Sequence, residues 1–433
     1  MYVRTREALG PVPTSYLCDS SINGVGEYVL GQVTPDRACL SALKCVPHQH
    51  VLRTCADGKS FTSAASPTTM TRSAMNPGFF RADGFHEFDT VLHVKLQNLL
   101  LNTPKYAVML ADESKKKRGP SAGDRVRVAL VDLTGDKICK PGYADWGSTF
   151  PITGGSTVKI AMLYAAHQLL FDLNEMARTG GLNTAADLKK KADEVWSQLI
   201  CPPDLDWLVE FDQTGTTVRA KASKNLDLHL KQMVIRAFSP ASVTRANQLI
   251  IRLGFEYIAS VLWQSGLRRS RGRGLWVRNT YAQKKILARM TPKCHYKTPY
   301  QTRDGEGLER IVWYQDPTDD IEFRLTALSV VTFFTLLAQR RLVNESASVA
   351  MEALLKQGCI FPLDPFPIPG VKVRATKCGL TSDVMHVATL LESASGNRRY
   401  ALAVLMLRKN EPGWKTKAFL NSFVKDVDKL IIR

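Results

Sequence analysis

Residues 151–166 read PITGGSTVKIAMLYAA, and the reading of this stretch decides the fold. Two glycines precede Ser156, Lys159 follows three residues later, and the run from Ile160 to Ala166 is apolar nearly all round. A serine in front of a helix is most often an N-cap, its oxygen accepting from the helix's first N–H groups. Two features argue for chemistry instead. The (i, i+3) spacing puts the Lys159 amine on the same helix face as the Ser156 hydroxyl. An apolar helix strips water from that amine, which lowers its pKa and suits it to take a proton. The helix N-terminus also aims N–H groups at an anion forming on the serine. Ser-x-x-Lys in this setting is a workable nucleophile–base pair.

The surrounding chain has 433 residues, 45% of them hydrophobic, enough to bury one large core or two ordinary ones. With 23% charged and 8% aromatic residues the composition is that of a globular protein. No window reaches the length of apolar run that a membrane-spanning helix needs, so none is expected. The opening, MYVRTREALGPVPTSYLC, lacks the apolar core of a secretory leader. The expected location is therefore the cytoplasm if this N-terminus is native, and the periplasm or exterior if a leader has been removed. Nine cysteines, an odd number without C-x-x-C or zinc-ligand spacing, read as scattered thiols in a reducing compartment. The HQH at His48–His50 lacks further ligands at useful spacing, so no metal or organic cofactor is expected.

The net charge of +18 raises the question of polyanion binding. Ten Lys or Arg fall between Arg268 and Lys297, with no carboxylate from Ile258 to Arg303. No nucleic-acid module surrounds them and few aromatic residues lie between them. A solvated basic face, or a rim that attracts an anionic small substrate, fits better than a nucleic-acid site.

Residues 1–90 are rich in Ser, Thr, Pro and Gly, with little periodicity, and read as a loop-rich extension. From 91 to 433 the pattern is that of one domain. Its sheet is expected from about 91–150 and 370–433, and its helical part from about 156–360. Helical spacing begins in EFDTVLHVKLQNLLLN (Glu87–Asn102), and RVRVALVDLTGDKI (Arg125–Ile138) reads as a strand and turn. The segments 183–200, 244–266, 322–343 and 344–358 have helical periodicity. Late in the chain VKVRATKCG, VMHVATLLES and RRYALAVLMLR read as strands, the last two joined at Ser395–Asn397, before a closing helix. Strands at both ends with helices between predict an α/β fold with one mixed sheet and a helical subdomain.

GGSTVKIAMLYAA resembles the active-site helix of the serine β-lactamases and penicillin-binding proteins, whose signature is S-x-x-K. The resemblance is nearest to the class A branch and spans about residues 95–433. SVTRANQLIIRLG is similar to that family's second-motif helix, and ATKCGLTSDVMHVATL followed by RRYALAVLML to its K-[TS]-G strand and the next. Residues 1–90, and insertions near 180–235 and 268–312, have no counterpart. The resemblance implies a mixed, mostly antiparallel sheet flanked by helices plus an all-helical subdomain. It implies Ser156 as acylated nucleophile, Lys159 as its base, and Lys377 as the cation of the third motif. Gly379 and Leu380 would border the substrate, and the backbone N–H groups of Ser156 and Leu380 would form the oxyanion hole.

The chain also departs from the pattern. Cys378 stands where the family has a hydroxyl, which weakens one donor to a substrate carboxylate. The second motif, normally S-x-N, aligns on Ala241, Ser242 and Val243, so the serine falls on the middle position. Ser242 acts only if the loop slips by one residue, and Tyr281 in YAQ is the alternative proton carrier. The deacylating glutamate would fall in the basic segment, leaving only Glu306 or Glu309 beyond it. The resulting expectation is a serine hydrolase or acyltransferase acting on a small amide or ester, possibly anionic, through an acyl-enzyme on Ser156. The alternatives are a β-lactamase or DD-peptidase, and a non-catalytic binding protein built on the same fold. Oligomeric state and natural substrate stay open.

Overall fold

A computed structural model describes residues 87–110, 125–197, 199, 202–235, 240–268, 274–277, 323–357, 370–407 and 413–431. In chain order, β1 (Glu87–Phe88) leads into α1 (Thr90–Asn102) and α2 (Pro104–Leu110). Then come β2 (Val126–Asp132), a 3-10 turn (Gly135–Ile138), β3 (Gly142–Trp146), β4 (Ile152–Thr153), a second 3-10 turn (Gly155–Val158) and the long α3 (Lys159–Gly180). The helical part continues with α4 (Ala185–Trp196), the single turn α5 (Leu205–Leu208), the hairpin β5 (Val209–Thr214) and β6 (Thr217–Ala222), α6 (Lys224–Ile235), α7 (Pro240–Leu253) and α8 (Phe255–Gln264). β7 (Trp276–Val277) and β8 (Phe323–Leu325) precede α9 (Ala327–Ala338) and α10 (Glu345–Lys356). The chain closes with β9 (Val371–Leu380), β10 (Val384–Ser393), β11 (Arg399–Leu407) and α11 (Gly413–Ile431).

The main sheet has the order β1-β3-β2-β11-β10-β9, antiparallel throughout except for the parallel pair β1–β3. The late strand β11 pairs with the early strand β2, so the sheet is completed only near the end of the sequence, as expected. Helices cover both faces, and the central strands therefore read as near-continuous apolar runs. Within those runs residue size alternates. Tyr400, Leu402 and Val404 of β11 pack with Phe419, Leu420 and Phe423 of α11 on one face. Ala401 and Ala403 face the other cluster, which holds α3 and α9. The cross-strand row Lys377–Ala388–Ala403–Ala129 lies on that second face and lets the buried helix α9 approach the sheet closely.

Several expectations needed adjustment. The helix expected over 244–266 is two, because Gly254 takes φ +79° after α7 and the chain restarts as α8. The segment expected as one helix over 322–343 begins as β8. Thr326 then caps α9 through a capping box with Ser329, and that box sets the boundary. Residues 180–235, without counterpart in the resemblance, fold as α4, the β5–β6 hairpin and α6, on the flank of α3. Cys139 is disulfide-bonded, which corrects the reading of scattered thiols at that position. Among the described residues no helix is long and apolar enough to cross a membrane.

Candidate active site

Ser156 is held by backbone on both sides. Upstream, β4 pairs with β8 through Ile152↔Leu325 and Thr153↔Arg324, and the Gly154 N–H donates to the Phe323 carbonyl at 3.0 Å. Gly155, at φ +49°, reverses the chain in a conformation that a side chain would strain. Ser156 then falls inside the 3-10 turn rather than at a cap. The capping positions are Gly154 for the turn and Val158 for α3, and neither makes a side-chain capping bond. Ser156 is thus not the N-cap position of either helix. The residue is nearly buried, at 6% exposure, at the mouth of a helix whose next seven residues are all buried.

Lys159 opens α3 and is fully buried. Its Nζ donates to Ser242 Oγ at 2.7 Å, and Ser242 Oγ in turn donates to the Met233 carbonyl at 3.0 Å. Met233 sits in the last turn of α6 and Ser242 in the first turn of α7, so this helical hairpin carries the serine to a lysine 83 residues earlier. A buried amine needs such acceptors, and this hydroxyl accepts from the amine while donating to a main-chain carbonyl. The sequence left Ser242 and Tyr281 as rivals; the structure brings Ser242 against Lys159. Tyr281, Glu306 and Glu309 lie outside the described residues.

On β9, side chains alternate across the sheet. Lys377 is fully buried opposite Ala388, on the face shared with α3 and α9. Gly379 is on the same face and lies against the turn that holds Ser156: a Cβ there would lie 2.7 Å from Thr157 Oγ1 and 3.1 Å from the Gly154 carbonyl oxygen. Cys378 points the opposite way. Its thiol is buried beside Met385, Val387 and the α11 cluster, so its side chain faces away from Lys377 and the nucleophile turn. The side chain of Leu380 also packs on that far face, which leaves its backbone as the part that borders the turn's side of the strand.

His386 was not singled out from the sequence, where it is one histidine in an apolar strand. It stands opposite Gly379 in register, fully buried. Nε2 is 2.6 Å from the Thr153 carbonyl oxygen, and the Met406 N–H donates to Nδ1 at 3.1 Å. A carbonyl only accepts and an N–H only donates, so the ring is the neutral Nε2–H tautomer. Burial lowers its pKa to about 4, outweighing the contacts to the Thr153 and Met385 backbone that raise it. Deeper along α3, Asp172 accepts from Gln168 Nε2 and Tyr257 OH, each at 2.7 Å. Burial pushes this carboxyl up to about 8. Among the described residues no cluster of three or more His, Cys, Asp or Glu could hold a metal ion.

No family model and no curated sequence matches this chain. Among solved structures it is similar to PBP-A, at 14% identity over 79% of this chain and 97% of that chain, with a TM-score of 0.44. It is also similar to a class A β-lactamase from Bacteroides cellulosilyticus, at 13% identity over 79% and 99% of the two chains and a TM-score of 0.44. The TLA-1 extended-spectrum β-lactamase aligns at 11% identity over 79% and 98%, again with a TM-score of 0.44. The likeness is one of architecture.

Proposed function

We propose that the chain is a serine hydrolase or acyltransferase that works through an acyl-enzyme on Ser156. The observation that carries this reading is the buried contact from Lys159 Nζ to Ser242 Oγ, one turn beyond a serine that lies inside a 3-10 turn. In the proposed first step Ser156 Oγ attacks the carbonyl carbon of an amide or ester, and its proton passes to Lys159 as the neutral amine. The negative charge collects on the carbonyl oxygen, held by the backbone N–H groups of Ser156 and Leu380. As the intermediate collapses, the bond to the leaving amine or alcohol breaks, and that group takes the proton from Lys159 by way of Ser242. A second nucleophile then accepts the acyl group from Ser156. Lys377 supplies positive charge beside this relay, and the basic composition suits an anionic substrate.

The test is intact-protein mass spectrometry after exposure to a fluorescent penicillin and, separately, a fluorophosphonate. An adduct on the wild type that vanishes in Ser156→Ala is expected. Lys159→Ala should slow its formation by about a hundredfold or more, the usual contribution of a positioned base. The lifetime of the penicillin adduct separates rapid hydrolysis from a slow acyl-enzyme. A folded wild type that takes neither probe overturns the reading in favour of a binding protein.

A further inference from the structure

The strand residue His386 reaches from β10 to the chain entering the Ser156 turn. Its Nε2–H reaches the carbonyl of Thr153, three residues before Ser156, and its Nδ1 is anchored by the Met406 N–H of β11. Its ring edge also borders the position where Gly379 lacks a side chain: a Cβ at 379 would lie 3.1 Å from His386 Cδ2. The absent side chain leaves space that the imidazole edge, the Gly154 carbonyl and Thr157 share. One ring thus joins three segments: the strand entering the nucleophile turn, the third-motif strand, and the central strand β11.

We propose that His386 is a positioning residue for Ser156, its neutral imidazole fixing the 153–158 turn against Gly379 by spanning from the β11 backbone to the Thr153 carbonyl. The role rests on the reading of Ser156 as nucleophile, but the mechanical part does not. The Thr153 carbonyl belongs to the peptide whose N–H, on Gly154, donates to Phe323, so His386 holds the other side of that peptide at the end of a two-residue strand. A displacement of about 1 Å at a reacting atom can cost on the order of a hundredfold in rate, so a bond this close to Ser156 has leverage on chemistry.

Two substitutions divide the ring's bonds. In His386→Gln the amide nitrogen can occupy the place of Nε2 and keep the donor to Thr153. In His386→Asn the amide oxygen takes the place of Nδ1, keeps the acceptor for Met406, and falls short of Thr153. Each full-length variant is read by hydrogen exchange over residues 150–160 and by the rate of fluorophosphonate labelling at Ser156. His386→Asn is expected to speed exchange in that segment and slow labelling about tenfold or more, while His386→Gln stays within about threefold of wild type in both. Equal exchange at 150–160 in the two variants overturns the proposal, as does a wild-type labelling rate in His386→Asn. If wild type takes no label, the nucleophile reading fails and the exchange comparison alone decides the role of His386. A third readout needs no variant. The imidazole nitrogens of wild type should show the Nε2–H tautomer at neutral pH by NMR, and an Nδ1–H or doubly protonated ring there overturns the proposal.

Discussion

Gly379 has no room for a side chain, and its neighbours cannot all give way. The contact to Thr157 Oγ1 would be 2.7 Å, and Thr157 is itself fully buried. The contact to the Gly154 carbonyl oxygen would be 3.1 Å, and Gly154 is pinned through its own N–H to Phe323. Gly379→Ala is therefore expected to cost about 1–3 kcal/mol in urea unfolding, the usual range for overpacking a core. Adding Thr157→Ala should recover part of that loss by removing the shorter contact. Full recovery, or no cost at all, would mean that the turn moves freely against β9. Cys378 shows the complementary point. In the sequence it was a weakened substrate donor; in the fold the strand's alternation sends its thiol to the α11 cluster. The residue types of the motif were legible, but not which face each side chain would take.

Helix α3 combines an apolar surface with one buried carboxyl, and this element has a pH signature of its own. Asp172 is pushed up to about 8 from an ordinary value of 3.8, chiefly by burial, with the bonds from Gln168 and Tyr257 pulling it partly back. Between those two values the folded chain holds a proton that the unfolded chain has released. Stability from this group is thus fully present below about pH 4 and is lost as pH rises toward 8. Asp172→Asn does not titrate, so its stability relative to wild type should grow from pH 5 to pH 8, by at most about 1.4 kcal/mol per pH unit. Urea unfolding of both proteins at the two pH values measures this, and a constant difference would sink the assignment. The nearly all-round apolar run located this helix from the sequence. That Gln168, Asp172 and Tyr257 form one network depended on α8 packing across it, which spacing within α3 does not encode.

Among the described residues, two histidines oppose Asp172. His386 and His167 are both lowered to about 4 from 6.5, by burial first. From pH 6.5 down to 4 the unfolded chain protonates at both sites while the folded chain does not, so their contribution is complete above pH 6.5 and lost on acidification. Of these three groups, among the described residues, the two histidines outweigh the carboxyl over that range, and above it Asp172 acts in the opposite sense. Unfolding free energy should therefore rise from pH 4.5 to a maximum near 6.5 and fall toward 8. A monotonic rise between pH 5 and 8 would contradict that balance.

The sequence by itself determined that the main sheet draws strands from before and after the helical part, that a nearly all-apolar helix starts near Ser156, and that Lys159 lies one turn on. These are local facts: hydrophobic period, strand alternation and a three-residue spacing express the geometry of one element at a time. It did not determine whether Ser156 caps its helix, whether Ser242 reaches Lys159, where the Cys378 thiol points, or that His386 spans two strands and a turn. Each of those depends on pairing between residues dozens to hundreds of positions apart, such as Lys159 with Ser242 and Thr153 with His386. Such pairs are set when β11 docks on β2 and the α6–α7 hairpin closes on α3, because only packing fixes the register and the face that each side chain takes.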